Sequence, residues 1–549
     1  MIKLAATAQK LRWPVVIASI LAVATLLRFI RIGDVPLPLS DEVFASVDIH
    51  SILLTGHHFD GSPAGVLAYI VLAIDGRLIA FLIHGATLVD LRTVSAAFGL
   101  ATVAVLIPLG TELGDFRLGV LAAAVLAVMP WSIYFSRIFY PASEYAFLTT
   151  LALVLALRAL RTKSNVSALG SAIAAVASVY IYPVAIVATP LLVGCIVATR
   201  TRQAMRFGLF KLLVVSMVAC LLLVPYLIAH LAVTDANVAT QNTVITDKMI
   251  WNHGLSMSGM LSQFWRTWLS FLTVQFTILH GDPNVRWSIQ VIGSVGWITG
   301  LVGWIGVVVA IARRNSTDRL LLLWLALYPV GDAITYYDAT PNSVRGITGA
   351  VVWSFFVATA IRRLGQVATK RRLRASRHRR NVLRVSVMVA VGVAMAVQVL
   401  AFASVYFGSY DSQYAYAFET GYPEIYSVLK EKGLDSVPIT LHAGYQRDLM
   451  LQYFSQYRLH ASDQLLACYD LPFDVLHFTV LPRIFIVRED PDVQSMPGCI
   501  HQGLIQRDEA ALLSVASPPG KPARRLDVIS VFPDDVSGRF MTAILYVHY

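Results

Sequence analysis

The chain has 549 residues, of which 56% are hydrophobic and only 14% are charged, and its mean hydropathy is +0.65. Because a soluble domain carries about 25% charged residues, this composition excludes an ordinary soluble protein and predicts a chain that crosses a membrane several times. The net charge of +11 would suit a nucleic-acid-binding protein, but the basic residues lie at the ends of apolar segments, where they set orientation in a membrane. We therefore expect no nucleic acid among its partners.

An apolar segment of about 20 residues is long enough to cross a bilayer as a helix. With this length as the criterion, the sequence predicts eleven membrane-spanning helices, the first of which has no small-residue cleavage site after it and is expected to stay as an anchor. The predicted spans are Trp13–Arg31, Arg92–Gly110, Leu118–Phe135, Ser143–Leu160, Ser167–Ile181, Val184–Ala198, Phe207–Leu231, Ile289–Ile311, Leu320–Tyr337, Val344–Ile361 and Leu383–Tyr406.

The distribution of Lys and Arg predicts the orientation of these spans, because cytoplasmic loops are enriched in both. If the N-terminus is cytoplasmic, the short segments that face inward hold 24 of the 44 Lys and Arg residues, and the segment 362–384 alone holds ten. With an odd number of spans, the C-terminus then lies outside the cytoplasm.

One further apolar segment, Val66–Ile83, is interrupted by Asp75-Gly76-Arg77. If it crossed the membrane, every later loop would invert and the basic clusters would face outward. We interpret it as a helix that lies in the membrane interface with its charged residues at headgroup level. A re-entrant or spanning helix is the alternative.

Residues 407–549 differ in composition from the rest of the chain. They contain the strand-like runs Arg483–Val487 and Leu526–Phe532 and Pro-rich punctuation at Ser517–Gly520. Cys468 and Cys499 lie here, on the predicted oxidising side, and the sequence leaves open whether they pair. The predicted fold is therefore a polytopic α-helical membrane protein, with a transmembrane module over residues 1–406 and a C-terminal extracytoplasmic α/β domain over residues 407–549.

Acidic and basic residues that are candidates for chemistry concentrate in the segments predicted to face outward. The pair Asp41-Glu42 follows the first span, within a first outer loop over residues 33–91. Carboxylates this close to a membrane surface face a solvation penalty, and they are usually present because chemistry or an ion needs them. Further candidates lie in the same loop and in two later ones: His58, Asp60, Arg137, Glu144 and Arg345.

The order and placement of these motifs resemble the GT-C glycosyltransferases, which are polytopic enzymes that take a sugar from a polyprenyl-phosphate donor. The resemblance is nearest to the protein O-mannosyltransferases and the lipid A aminoarabinose transferases, and it covers roughly residues 1–406. It rests on four segments: Asp41-Glu42, Gly56–Gly61, Arg137–Glu144 at the start of the fourth span, and Pro341–Gly346 before the tenth.

The resemblance implies an inverting transferase in the cell (inner) membrane that uses a polyprenyl-phosphate-linked sugar on the extracytoplasmic face. The acceptor would be a glycolipid, a polysaccharide or a protein. Asp41 matches the family's general base, with Glu42 beside it. Arg137 and Arg345 would bind the donor phosphate. Some members of the family bind a divalent cation, so a cation is an open expectation here, without assigned metal ligands.

Simpler roles compete with these assignments. Asp41 and Glu42 suit the first turn of a helix and could merely cap it. Arg137 could reach lipid headgroups or pair with Glu144, and Asp60 could be a turn residue before Gly61. We keep Asp60, His58 and Glu144 as second-rank site candidates.

Two other functions also remain open at this point. A transporter or flippase for a lipid-linked anion would explain many spans and outward arginines, but it predicts charged or broken helices at mid-membrane and matching halves. A polymerase or ligase for lipid-linked glycans would share the substrate class without needing the early acidic pair. Loss of function on substitution in the outer loops would favour an enzyme over a transporter.

Overall fold

The structure is a computed structural model. It describes residues 2–58, 63–231, 249–336, 340–370, 377–414, 418 and 431–432, together with the five strands given below. The chain divides into two compact units. The first, the helical unit, comprises Met1–Gly33, Ala64–Gly85 and Val89–Tyr406, and the second, the sheet unit, comprises Asp34–Pro63, Ala86–Leu88 and Phe407–Tyr549.

The described part of the chain is mostly helical, as the composition predicts. Short 3₁₀ or π segments lie at Ile250–Asn252, Gln275–Leu279 and Val405–Ser409. In chain order the α-helices are α1 (Ile2–Phe29), α2 (Ser40–Thr55), α3 (Val66–Ile74), α4 (Arg77–His84), α5 (Leu88–Glu112), α6 (Phe116–Ala127), α7 (Pro130–Phe135), α8 (Ala142–Thr162), α9 (Asn165–Ile181), α10 (Ala185–Thr199), α11 (Thr201–Phe207), α12 (Leu209–Leu231), α13 (Met257–Ser270), α14 (Trp297–Arg313), α15 (Ser316–Leu327), α16 (Val330–Ala333), α17 (Thr348–Lys370), α18 (Arg377–Ser404) and α19 (Tyr410–Gln413).

Four of the described helical segments are long and apolar enough to cross a membrane: Leu88–Glu112, Ala142–Thr162, Leu209–Leu227 and Val389–Ser409. The number rises to six if each of two bent pairs, α3 with α4 and α10 with α11, counts as one span. Leu209–Leu227 has the lowest buried share, 6%, so its apolar side chains face away from the protein, as in a lipid-facing helix. The count of eleven spans stays a prediction.

Each of the eleven predicted spans contains a helix, but several boundaries were wrong, and prolines and glycines explain the differences. Pro130 divides the third predicted span into α6 and α7. Pro329 likewise divides the ninth predicted span into α15, which ends at Leu327, and α16, because proline cannot continue a helix. The eighth begins only at Trp297. The residues before it, Gly293 to Gly296, instead donate backbone hydrogen bonds to the carbonyl oxygens of Phe276 to Ile278.

The segment predicted as a single interfacial helix, Val66–Ile83, is two helices, so that prediction was wrong in this respect. The axes of α3 and α4 differ by 78°. The bend falls at Asp75-Gly76, where Gly76 has a φ of +84°, a value that glycine adopts without strain. Asp75 accepts bonds from the Arg77 backbone N–H at 3.0 Å and from its Nε at 2.7 Å. Its charge is therefore neutralised within the bend.

A row of glycines brings two helices of the helical unit into close contact. Gly303 and Gly306 on α14 face Trp353 and Phe356 on α17. A Cβ atom at Gly306 would overlap the carbonyl oxygen of Phe356, which belongs to the backbone and cannot rotate away. Small residues at this spacing are the usual means by which membrane helices pack closely.

Ion pairs join several helix ends. The distribution of Lys and Arg predicts that these ends all face the cytoplasm. The Arg161 guanidinium forms two bonds to the Glu112 carboxylate, at 2.6 and 2.7 Å, and so joins the ends of α8 and α5. Arg362 on α17 pairs with Asp115, which caps the start of α6. These helix ends therefore lie at one end of the helical unit.

In the part of the sheet unit that the structure describes, five strands pair in the order β2-β1-β3-β5-β4. β1 is parallel to β2 and β3, and β5 is antiparallel to β3 and β4. The two runs predicted as strands lie in β3 and β4. Cys468 and Cys499 lie outside the described residues, and the α/β class stays a prediction. The strands are β1 (Ile439–His442), β2 (Gln464–Leu466), β3 (Ile484–Arg488), β4 (Arg525–Pro533) and β5 (Met541–His548).

We expect Gly306→Ala to destabilise the protein by about 1–3 kcal/mol, because the added methyl group forces α14 and α17 apart. The measurement is the apparent unfolding temperature of the purified protein in detergent. Gly392→Ala on α18 is the matched control, since among the described residues no neighbouring atom lies within 4 Å of its built Cβ. Equal effects of the two substitutions would contradict this account of the contact.

Candidate functional site

The acidic pair Asp41-Glu42 lies in the first turn of α2, within the sheet unit. Glu42 is fully buried, and its Oε2 accepts a bond from the Leu39 backbone N–H at 3.1 Å, which satisfies a donor that the start of the helix leaves open. Asp41 is only half-buried. The capping role that competed with catalysis is thus observed for Glu42, and Asp41 is the acid of the pair with more access to solvent.

A histidine and an aspartate, His58 and Asp48, form a contact further along the predicted first outer loop. The Nδ1 atom of His58 lies 3.0 and 3.2 Å from the two carboxylate oxygens of Asp48, which is buried. His50 bonds the Ser46 carbonyl through its Nδ1 at 2.7 Å. Asp60 lies outside the described residues. Among the residues that the structure does describe, no group of three or more His, Cys, Asp or Glu side chains is arranged to hold a metal ion, and we derive no step through one.

Arg137 is completely buried and caps the C-terminal end of α1. Its Nη1 donates to the carbonyl oxygens of Leu27 and Arg28 at 3.1 and 3.0 Å, and its Nη2 to those of Ile30 and Arg31 at 2.7 and 3.2 Å. The last carbonyls of a helix have no partner within it, and they form the negative end of the helix dipole. A guanidinium with five donors is well suited to both.

A second buried arginine, Arg28, binds the carbonyl end of α6. Its Nη1 donates to the carbonyl oxygen of Ala127 at 3.0 Å, and its Nη2 donates to the Ser132 hydroxyl at 2.8 Å. Its Nε bonds Ser136 at 3.2 Å. Arg28 therefore ties the first helix to the α6–α7 break, and this charge near the end of the first predicted span has a structural role.

Glu144 is also fully buried, in the first turn of α8. Its Oε1 accepts a bond from the Ser95 hydroxyl on α5 at 2.7 Å. Its Oε2 accepts no hydrogen bond within the part of the chain that the structure describes. Glu144 thus links α8 to α5, and its recorded bond is not the pairing with Arg137 that the sequence suggested as an alternative.

Arg345 lies in a cluster of buried polar groups that the sequence did not reveal. Its Nη1 is 3.1 Å from Oδ1 of Asp332 on α16, and it also donates to the Thr335 hydroxyl. Oδ2 of Asp332 accepts from the Asn342 backbone N–H at 2.8 Å. The Arg345 side chain is 6% exposed and that of Asp332 is not exposed at all, so the charge of Arg345 is balanced inside the protein.

The backbone two residues before Arg345 is held by a second buried acid, Asp282. Oδ2 of Asp282 accepts bonds from both the backbone N–H and the hydroxyl of Ser343, each at 2.6 Å. Its Oδ1 accepts from the Asn284 N–H at 2.8 Å. On the other side, the Trp131 indole donates to the Ser343 carbonyl at 3.1 Å. Ser343 is therefore bonded through its side chain, its N–H and its carbonyl.

Asp282 belongs to the segment 232–288, which the sequence predicts to face outward, and burial raises its pKa to about 7. The bonds from Ser343 and Asn284 lower the pKa, and the neighbouring negative charge of Asp332 raises it. Burial dominates because a carboxylate that leaves water loses more solvation than these bonds return. The proton of Asp282 is consequently exchangeable near neutral pH.

Sequence reasoning missed Asp282 and Asp332. Asp332 falls inside a predicted apolar span, and an ionisable residue there is by itself a signal of a special role. Asp282 begins the run Asp282-Pro-Asn284, which resembles an ordinary turn. Its link to Ser343 joins residues 61 positions apart, and no local pattern predicts that contact.

The sequence matches no protein-family model and no curated protein. Solved structures do resemble the chain. ArnT from Cupriavidus metallidurans in the apo state is 14% identical, with a TM-score of 0.56 over 98% of each chain. ArnT bound to undecaprenyl phosphate is 13% identical, with a TM-score of 0.54 over 97% of this chain and 98% of ArnT.

An archaeal enzyme also matches. The oligosaccharyltransferase AglB from Archaeoglobus fulgidus, in complex with an inhibitory peptide and a dolichol-phosphate, is 12% identical, with a TM-score of 0.51 over 82% of this chain. The chain spans 64% of the length of AglB. AglB and ArnT are both GT-C membrane glycosyltransferases, and the likeness shows that this chain has the GT-C fold.

We expect Arg137→Met to destabilise the protein by about 3–5 kcal/mol, because it removes the buried partner of four carbonyl oxygens. The apparent unfolding temperature should fall, whereas Arg319→Met, at an exposed arginine, should change the stability by less than about 0.5 kcal/mol. A variant that keeps the wild-type unfolding temperature but has lost binding of polyprenyl phosphate would contradict the structural role.

The pKa of Asp282 predicts a pH dependence of stability. The folded chain releases this proton near pH 7 and the unfolded chain near 3.8, so the folded state holds one more proton between these values. Stability then falls by up to about 1.4 kcal/mol per pH unit as pH rises toward 7, and it levels off above 7. In Asp282→Asn this component is absent. The difference in unfolding temperature between wild type and variant should therefore shrink from pH 5.5 to pH 8. An unchanged difference would contradict the assignment.

Proposed function

We propose that this protein is a glycosyltransferase that moves a sugar from a polyprenyl-phosphate donor to a hydroxyl group of an acceptor, with inversion at the anomeric carbon. The observation that carries the proposal is the likeness to ArnT bound to undecaprenyl phosphate, which extends over 97% of this chain and 98% of ArnT. AglB, the second neighbour, was solved with a dolichol-phosphate. Two structures of this fold thus hold a polyprenyl phosphate.

We assign the general base to Asp41. It would take the proton of the acceptor hydroxyl as that oxygen bonds to the anomeric carbon from the side opposite the phosphate. The bond between the anomeric carbon and the phosphate oxygen breaks, and the polyprenyl phosphate leaves as an anion that needs no proton. Asp41 is preferred over Glu42 because Glu42 is fully buried and its carboxylate caps Leu39.

The departing phosphate needs positive charge, and electrostatic stabilisation is often the largest catalytic contribution. We assign this role first to Arg345. Arg137 was predicted as a second phosphate ligand, but its bonds to four carbonyls favour a structural role. Within the proposal, residues 1–406 form the catalytic module in the cell membrane and residues 407–549 an extracytoplasmic domain. The acceptor is a glycolipid, a polysaccharide or a protein.

The proposal predicts what a cell that lacks the gene accumulates. One polyprenyl-phosphate sugar should build up, and one surface glycan should lose that sugar, which mass spectrometry of both fractions would detect. The wild-type gene should reverse both changes. Asp41→Asn should not, because loss of a general base slows transfer by about 10²–10⁴-fold.

The matched control is Asp90→Asn in the same predicted loop, where Asp90 faces the exposed His84 at 3.2 Å; this variant should complement fully. Full complementation by Asp41→Asn would refute the base assignment while leaving the transferase intact. If no lipid-linked sugar accumulates without the gene, the transferase proposal itself fails.

A further inference from the structure

The segment 340–346 carries Arg345, and we call it the arginine loop. Its conformation is set by carboxyl groups that come from outside it. Asp332 uses one oxygen on the Arg345 guanidinium, at 3.1 Å, and the other on the Asn342 backbone N–H, at 2.8 Å. The Asp332 side chain therefore fixes the Arg345 guanidinium relative to the backbone of Asn342.

Asp282 holds the middle of the arginine loop. Its Oδ2 accepts hydrogen bonds from the N–H and the hydroxyl of Ser343, each at 2.6 Å. A bond from the Asn284 N–H fixes the position of its own carboxylate. Its backbone carbonyl accepts a bond from the Gln290 amide at 2.5 Å. Asn284 and Gln290 thus fix the position of Asp282, and its carboxylate in turn holds Ser343.

Stability alone does not account for this arrangement. Asp282 and Asp332 are 1% and 0% exposed. Asp332 forms an ion pair with Arg345, whereas the carboxylate of Asp282 accepts bonds from the uncharged groups of Ser343 and Asn284. A buried charge costs several kcal/mol of solvation, and replacing such groups by apolar ones of equal volume is often neutral or stabilising. Two buried acids bonded to one short loop therefore indicate a requirement for a defined geometry.

We propose that Asp282 and Asp332 are positioning residues that orient Arg345 to receive the phosphate of the polyprenyl donor; this inference rests on the function proposed above. A guanidinium binds phosphate through a planar fork, so its rotation matters as much as its distance. Asp332 sets that rotation through Nη1. Asp282 sets the backbone two residues earlier, through Ser343. An arginine that is already oriented loses less freedom when the phosphate binds.

The test measures the binding of undecaprenyl phosphate to the full-length protein in nanodiscs, together with KM and kcat where a transfer assay exists. Asp282→Asn and Asp332→Asn should weaken binding by about tenfold or more, because each breaks a bond to a buried charged group. Ser343→Ala should have a smaller effect, since the backbone N–H bond to Asp282 remains. The KM for the acceptor should stay unchanged in all three.

The matched control is Asp318→Asn. Asp318 is also buried and pairs with an arginine, Arg313 at 3.1 Å, but at the basic end of the helical unit. This variant should lose stability without losing affinity. Adding Ser343→Ala to Asp282→Asn should weaken binding little further, because both remove the same interaction.

Each outcome decides something. If wild type binds undecaprenyl phosphate and Asp282→Asn and Ser343→Ala both bind it with unchanged affinity, the positioning role is wrong and the proposed function stands. If the affinity falls only as far as it does in Asp318→Asn, the effect is one of stability and the inference is again wrong. If wild type does not bind the lipid at all, the proposed function fails and takes this inference with it. Should Asp332→Asn not fold, the Asp282 and Ser343 variants carry the test.

Discussion

Polar groups inside an apolar helical bundle must find their partners within the protein, and this requirement shapes the helical unit. Arg28 and Arg137 each saturate the open carbonyls at the end of a helix. Without such partners, every exposed carbonyl in an apolar surrounding would cost several kcal/mol. The two arginines thereby fix where α1 and α6 end. Both helices end before the predicted second outer loop.

The same requirement explains the arginine loop. Buried acids and a buried arginine neutralise one another only at short distances, so the loop can take few conformations. Asp332 and Asp282 lie in different parts of the chain, and their bonds converge on three residues of the loop, Asn342, Ser343 and Arg345. A loop held in this way suits the binding of a charged headgroup, because the guanidinium is oriented before the ligand arrives.

The two candidate arginines are thus alike in burial but different in their partners. The recorded bonds of Arg137 go to carbonyl oxygens, which carry only partial charges, and they tie it to a helix end. The bonds of Arg345 go to a carboxylate and a hydroxyl on α16 and just beyond it. Among the acids, Glu42 caps a helix and Asp41 is half-buried beside it. The partners, more than the residue types, separate structural from catalytic candidates.

The sequence by itself determined the membrane class, the presence of a helix at each predicted span, the strands β3 and β4, and the family resemblance, because apolar length and residue periodicity are local properties. It also located Arg345 and the acidic pair. It did not determine where helices break around Gly293 or Pro329, nor the partners of Arg28, Arg137 and Arg345. Most of those partners lie 10 to 110 positions away in the chain, such as Thr335 for Arg345 and Leu27 for Arg137. Only packing of the helices brings them within bonding distance, so only the tertiary structure could reveal that Asp282 and Asp332 hold the arginine loop.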